Sequence, residues 1–276
     1  DEKNEDGTVI NSENYISIDA AKDINSDLEI GDFLSYELEF ENMGRNAATI
    51  LSSNFEYRLQ RFVEDNILAK YKEKVGKTVS GVVSRVDKND STFIEIGEIK
   101  GVLLRKNRIK GEKFKVGDTL KAVVRGVNID KNLGLIVELS RTSPKFLENL
   151  LALEVPELKD GKITIEASAR IPGTRSKIAL STISEQIDPI GAIVGVKGVR
   201  INAVSAQLSK ESIDCIEYSA IPEMFVARSL SPALVNSVKI EVEPKNGEKG
   251  KAIVTINSDQ KSKAIGKDGL NIRLAS

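Results

Sequence analysis

At 276 residues, 40% hydrophobic and 29% charged, the chain is too long for one small core and suggests two to four compact units. No apolar run approaches the ~18 residues of a membrane span, and the absence of histidine removes the commonest general base and metal ligand. The net charge of −1 hides an asymmetry, because residues 1–70 carry 6 Lys+Arg against 16 Asp+Glu and the remainder carries 34 against 25. A basic body suits nucleic acid, and an acidic end suits a basic protein surface. Solvated faces with no partner are the competing reading.

The chain opens on Asp1, with no charged-then-apolar leader, and reads as a fragment. Residues 1–7 are polar and are expected to fray. Val9 to Ile18 holds β-prone pieces around an Asn11–Asn14 turn, and Leu34, Tyr36, Leu38 and Phe40 alternate with polar residues as a half-buried strand. Leu51, Phe55, Leu59, Phe62, Val63, Ile67 and Tyr71 have helical spacing, which predicts a helix over Asn46–Lys72, about 40 Å long at about 1.5 Å per residue. Together these give a small α/β unit with a long helix leading onward.

From Val75 to Arg141 the period changes. Thr78–Val86, Thr92–Ile96, Gly101–Leu104, Thr119–Ile129 and Leu133–Ser140 are β-branched and bounded by Gly, Asn and Asp, which predicts a five-stranded Greek-key barrel of the OB kind. Phe93 is almost the sole candidate for stacking on bases, so charge from Arg85, Arg105, Lys106, Arg108 and Lys110 would carry more of any RNA binding here. The alternative is that Phe93 is core and the cations are merely solvated. Next, Ser143-Pro144 starts a helix with the stripe Phe146, Leu147, Leu150, Leu151 and Leu153. Two strands follow, Lys162–Arg170 and Ser176–Leu180, then a short helix from Asp188-Pro189, a glycine loop, a helix Val199–Leu208 and a strand Ile213–Tyr218. Cys215, between Ile213 and Ile216, is most simply a buried strand residue. The order then restarts, with a helix Pro222–Leu230, strands Val238–Val242 and Lys251–Ile256 around a Lys245–Glu248 turn, and a helix Asp259–Ile265 before a second glycine loop.

Those two loops, Gly195-Val196-Lys197-Gly198 and Gly266-Lys267-Asp268-Gly269, lie 71 residues apart, and each reads apolar-Gly-x-x-Gly-apolar-x-Ile. Glycines at both corners permit a tight turn with positive φ and strip Cβ atoms from the surface. The N–H groups opening the next helix then face outward beside the positive end of its dipole, which suits a phosphate. A single Gly-x-x-Gly is as well explained by a helix cap and corner. Its recurrence in the same slot of a repeated element order favours the phosphate reading.

The repeated order resembles type II KH domains, which clamp about four nucleotides of single strand. The Gly-x-Val start, Phe93-Ile94, the Phe114-x-Val-Gly-Asp118 turn and Ile136-x-Glu-Leu-Ser140 resemble the RNA-binding OB domain of the ribosomal-protein-S-one (S1) type. Together with Asp188–Gly195, the Arg170–Lys177 hairpin, Leu230–Ala233 and the Ala264–Ser276 run, the whole chain resembles the NusA family of bacterial transcription factors. The resemblance implies a multidomain α+β protein: a partial polymerase-binding unit over 1–73, an S1-type barrel over 74–141, a first KH domain over 142–219 and a truncated second over 220–276. It implies that Gly195, Val196, Lys197, Gly198, Gly266, Lys267, Asp268 and Gly269 face phosphates and that Ile201 and Ile272 line the base grooves. Arg273 belongs to the same RNA-binding set, and Arg170, Arg175, Lys177 and Arg200 would add non-specific attraction. The Asp268 carboxylate repels a phosphate unless it points away.

By the same resemblance the acidic unit would dock on RNA polymerase near the RNA exit, with other elongation factors as further partners, and the factor would modulate pausing, termination and antitermination. A cytoplasmic monomer without catalysis, cofactor, metal or membrane contact is expected. An accessory RNA-binding subunit of an RNA-processing or degradation complex is the alternative. An enzyme is a third class, but no Walker loop, metal-ligand cluster or nucleophile–His pair is seen.

Overall fold

The computed structural model describes residues 16–35, 45–130, 134–184, 186–242 and 250–276. The chain divides into two compact units, residues 1–62 and 63–276. In the first, α1 (Ile18–Ile24) starts where the Ser17 hydroxyl accepts the Ala20 N–H at 3.3 Å. Ile18 therefore opens a helix rather than closing a β-prone piece, because the serine cap offers the backbone a helical start. Most of the expected strand over Leu34–Phe40 and all of the Asn11–Asn14 turn lie outside the described residues.

The long helix α2 spans Arg45–Lys72. Its apolar stripe is used unevenly. Ile67 and Tyr71 pack into the barrel core, and the Tyr71 hydroxyl donates to the Ile96 carbonyl at 2.9 Å. Burial raises the Tyr71 pKa, and the nearby Glu98 carboxylate adds to the effect. Leu51, Phe55, Leu59, Phe62 and Val63 instead remain exposed.

The barrel is built from β1 (Thr78–Val86), β2 (Thr92–Ile96), β3 (Ile99–Leu103), β4 (Thr119–Asp130) and β5 (Gly134–Ser140). It closes in the order β1-β2-β3-β5-β4, with β3 and β5 parallel and the other pairs antiparallel. Alternation along β2 sets its inside: Ile94 and Ile96 are buried beside Val83, Leu103, Val124, Val137 and Leu139. Tight closure also needs Gly81, since a Cβ there would lie 2.4 Å from the Glu95 carbonyl oxygen.

The next module starts at α3 (Pro144–Glu154), where Ser143 accepts the Lys145 N–H and proline occupies the first turn. Phe146, Leu147, Leu150 and Leu151 form its buried face, whereas Leu153 is exposed. After α4 (Pro156–Lys159) come β6 (Ile163–Ile171), β7 (Arg175–Thr182), α5 (Pro189–Val194), α6 (Val199–Gln207) and β8 (Ser212–Glu217). Strand β7 is central, antiparallel to β6 and parallel to β8.

Side chains of the barrel region enter the core of this module, which is separate from the barrel's own. Ile109 and Val123 of the barrel region cluster with Phe146, Leu150, Ile178, Ile193 and Val204. Above that core Arg141 binds Glu112 at 2.6 Å and donates to the Lys121 and Gln207 carbonyls. The element order then repeats as α7 (Pro222–Ser229), the antiparallel pair β9 (Ser237–Val242) and β10 (Lys251–Thr255), α8 (Lys261–Ile265) and α9 (Leu270–Ala275). The Lys245–Glu248 turn falls outside the described residues.

Candidate nucleic-acid interface

The two glycine loops have nearly the same backbone. Gly195 has φ 73°, ψ 171°, Lys197 φ 53°, ψ 24° and Gly198 φ 77°, ψ 14°. Gly266 has φ 75°, ψ 170°, Asp268 φ 52°, ψ 26° and Gly269 φ 71°, ψ 14°. The first position of each loop sits in a region open essentially to glycine alone, and the third and fourth are left-handed. Asp tolerates the left-handed conformation better than most residues. The backbone therefore gives Asp268 a conformational reason to be there, quite apart from its charge.

Each loop also stands on the residue five positions after its first glycine. A Cβ on Gly195 would meet the Arg200 side chain at 2.9 Å, and one on Gly266 would meet Asn271 at 2.7 Å, with the Asn271 backbone nitrogen at 2.8 Å. Arg200 donates to the Ala192 carbonyl at 2.8 Å, and Asn271 donates to those of Lys263 and Ala264 at 3.2 and 3.1 Å. Both side chains satisfy carbonyls at the C-terminal end of the helix before the loop, where helical partners run out. Arg200 also pairs with Glu157 at 3.2 Å; the Glu157 carboxyl is held below its usual range by its own backbone N–H and by Arg200. Neither brace is evident in the motif. The 71-residue register that aligns Arg200 with Asn271 is the signal that could have revealed them.

Around the loops, Val196, Lys197, Val199, Lys267, Asp268, Ile272 and Arg273 are exposed, while Ile201 is half-buried. An exposed apolar surface beside a cation can take a base and its phosphate together. The N–H groups expected to face a phosphate, however, are partly turned inward: Gly198 and Gly269 donate to the Gly195 and Gly266 carbonyls at 3.0 and 3.2 Å, and Val199 and Leu270 to those of Val196 and Lys267.

Four cations expected to attract RNA have other partners. Arg170 and Glu211 pair at 2.8 Å with side-chain exposures of 1% and 0%, and Arg170 also donates to the Arg141 and Ser143 carbonyls. Lys177 is buried, and its ammonium donates to the Ser229 carbonyl, the Ser231 carbonyl at 2.9 Å and Asn271 Oδ1 at 2.8 Å. Burial pulls its pKa down. Arg175 makes a two-pronged contact with Asp214 at 2.7 and 3.1 Å, and Arg200 serves the brace. Arg170 and Lys177 are thus interior residues, and Arg175 and Arg200 have carboxylate partners, because each lies on an element packed against an acid or a carbonyl end.

On the barrel, register pairs Arg85 with Phe93 across β1 and β2, and the guanidinium lies 4.2 Å from the ring centroid. Phe93 faces outward between the inward Thr92 and Ile94, so it is not a core residue. Arg105 and Lys106 are exposed nearby, and Arg108 pairs with Asp90 at 3.4 Å. Cys215 is half-buried, and burial first, then Asp214, pushes its thiol up to about 12. Among the described residues no His, Cys, Asp or Glu cluster could hold a metal, and no helix is long and apolar enough to cross a membrane.

A closed OB-type barrel followed by two Gly-x-x-Gly modules defines a class of multidomain protein with tandem KH domains. Family models match residues 3–65 as a NusA N-terminal domain, 141–218 as a NusA-like first KH domain and 222–276 as a NusA-like second KH domain. The chain belongs to the NusA family. It is 46% identical to the transcription termination/antitermination protein NusA of Helicobacter pylori, over 95% of this chain and 71% of that protein. The protein of the same name from Thermus thermophilus is 38% identical over 95% of this chain and 66% of its own length, and that of Borreliella burgdorferi 37% over 89% and 50%. The alternative of an RNA-processing subunit finds no support among these relatives.

Proposed function

We propose that the chain is a non-catalytic transcription factor that holds nascent single-stranded RNA while its acidic N-terminal unit binds RNA polymerase, modulating pausing, termination and antitermination in the cytoplasm. The observation that carries this reading is the pair of near-identical glycine loops, each with exposed apolar residues and a cation. On it, Gly195–Gly198 and Gly266–Gly269 contact phosphates, Ile201 and Ile272 contact bases, and Arg273 and the exposed barrel cations Arg85, Arg105 and Lys106 add attraction beside Phe93. Residues 1–73, 74–141, 142–219 and 220–276 act as its modules, and the factor works as a monomer with no cofactor. The relatives' shared name supports the transcriptional role, and the excess of acid in residues 1–70 supports a basic protein partner.

The test is binding to single-stranded RNA and, separately, to purified bacterial RNA polymerase, repeated with Gly198→Asp and Gly269→Asp. RNA affinity should drop by about tenfold or more, the cost of ~1.4 kcal/mol or more, while polymerase binding stays unchanged. RNA affinity should also fall steeply between 50 and 200 mM salt, as counterion release requires. Salt-independent binding, or two loop variants that bind RNA as well as the parent, would overturn the reading.

A further inference from the structure

The two loop braces differ in where they are anchored. Arg200 is tied within its own module, to Glu157 of α4 and Ala192 of α5. Asn271 is tied across modules. Its amide nitrogen donates to Leu230, Lys263 and Ala264 carbonyls, and its Oδ1 accepts from Lys177, which stands on β7, the central strand of the first module. The same ammonium takes the carbonyls of Ser229 and Ser231 at the C-terminal end of α7. Three N–H donors therefore meet three acceptors, all belonging to the second module. Among the described residues Lys177 is in no ion pair.

A buried ammonium with only neutral acceptors is a poor source of stability, since a well-packed apolar side chain does as well without the desolvation cost. It is a good source of geometry. Each bond is directional, and an orientation that loses one leaves a carbonyl or amide oxygen unpaired in the interior. The acceptors are also placed to matter: the end of α7, and through Asn271 the end of α8, the start of α9 and the floor under Gly266. These are the pieces on which the second loop rests.

We propose that Lys177 is a positioning residue for the Gly266–Gly269 loop: a side chain of the first module that sets the orientation of the second loop relative to the first. This rests on the reading that both loops grip RNA. Two loops at a fixed spacing present one strand with two sites in register, so the second binding event becomes intramolecular. A free pivot between them would give up most of that gain.

The experiment uses the whole 276-residue chain. Spin labels at Lys197→Cys and Lys267→Cys, in a Cys215→Ala background, report the distance between the loops. The parent should give one narrow distribution, and Lys177→Met, which keeps the length of the side chain and removes its donors, should broaden or shift it. On unlabelled protein, an RNA of about twenty nucleotides should bind Lys177→Met about tenfold more weakly, while one of about four nucleotides binds within twofold of the parent. A purely stabilising role would lower the melting temperature and leave the distance distribution intact, and an unchanged distribution overturns the proposal. Should Lys177→Met fail to fold, Lys177→Gln, which shortens the donor group and leaves the Asn271 brace in place, is judged by the same distances. If the parent binds neither RNA, the RNA reading falls while the distances still decide the role of Lys177.

Discussion

The first and second glycine loops share dihedral angles to within a few degrees and a brace at the same position, but differ in the residues between their glycines and in what secures the brace. One carries Val-Lys between its glycines and leans on an arginine secured within its own module. The other carries Lys-Asp and leans on an asparagine secured by a lysine 94 residues away. The glycines fix the backbone, and the support beneath it is free to vary so long as the carbonyls ending the previous helix are satisfied. Identical loops can therefore differ in how firmly each is tied to the rest of the molecule.

The sharpest way to break the likeness is at the first glycine. Gly266→Ala would push a Cβ against the Asn271 backbone nitrogen, which cannot swing aside, in a region of φ and ψ that only glycine enters easily. A loss of about 3 kcal/mol in urea unfolding is expected. Gly195→Ala has the same dihedral cost but meets the Arg200 side chain rather than a backbone atom, so about 1–2 kcal/mol should be lost. Equal losses at both sites would mean that the difference in support has no energetic weight.

A smaller effect is expected at Gly269, where an added Cβ meets nothing within 4 Å and only the left-handed backbone is penalised. Gly269→Ala should cost about 1 kcal/mol of stability. Charge separates the loops further. Asp268→Asn keeps a residue that tolerates φ 52° and removes a carboxylate from the RNA side. RNA should bind about threefold to fivefold tighter, in line with ~1 kcal/mol between unit charges 4 Å apart in water, with no change in melting temperature. Unchanged affinity would show that the Asp268 side chain points away from the phosphates.

The smallest effect concerns Cys215 in β8 of the first module. Its thiol keeps its proton in the fold up to about 12, whereas the unfolded chain releases it near the ordinary value. Between those limits the folded state binds more protons, so this group's contribution to stability falls as pH rises through the window, and near neutral pH the effect is negligible. A thiol reagent at pH 8 should label Cys215 only after denaturation, and rapid labelling of the native chain would show that β8 opens.

Much of this architecture could be read directly. Glycine spacing located both loops, β-branched runs bounded by Gly, Asn and Asp located the five barrel strands to within a residue or two, and Ser143-Pro144 and Asp188-Pro189 marked helix starts that the caps then occupied. Arg170 and Lys177 could not be placed. A residue type announces a charge and says nothing of the partner, and Glu211 and Asn271 lie 41 and 94 positions away. The apolar stripe of α2 was legible as a helix face, yet spacing alone did not show that only Ile67 and Tyr71 would reach the barrel core. Asp268 was half-legible for a related reason: its charge is visible in the sequence, and its left-handed backbone is not.

The insertion of barrel-region side chains into the core of the first KH module bears on how such proteins can be reshuffled over evolution. Ile109 and Val123 are barrel-region residues buried among Phe146, Leu150 and Val204, and Arg141 reaches from the end of the barrel to the Gln207 carbonyl. A recombination event that exchanged the barrel alone would leave an open apolar socket on one product and a sticky patch on the other. Exchange of the barrel together with the KH module packed against it would avoid that exposure, so such a pair is expected to move intact.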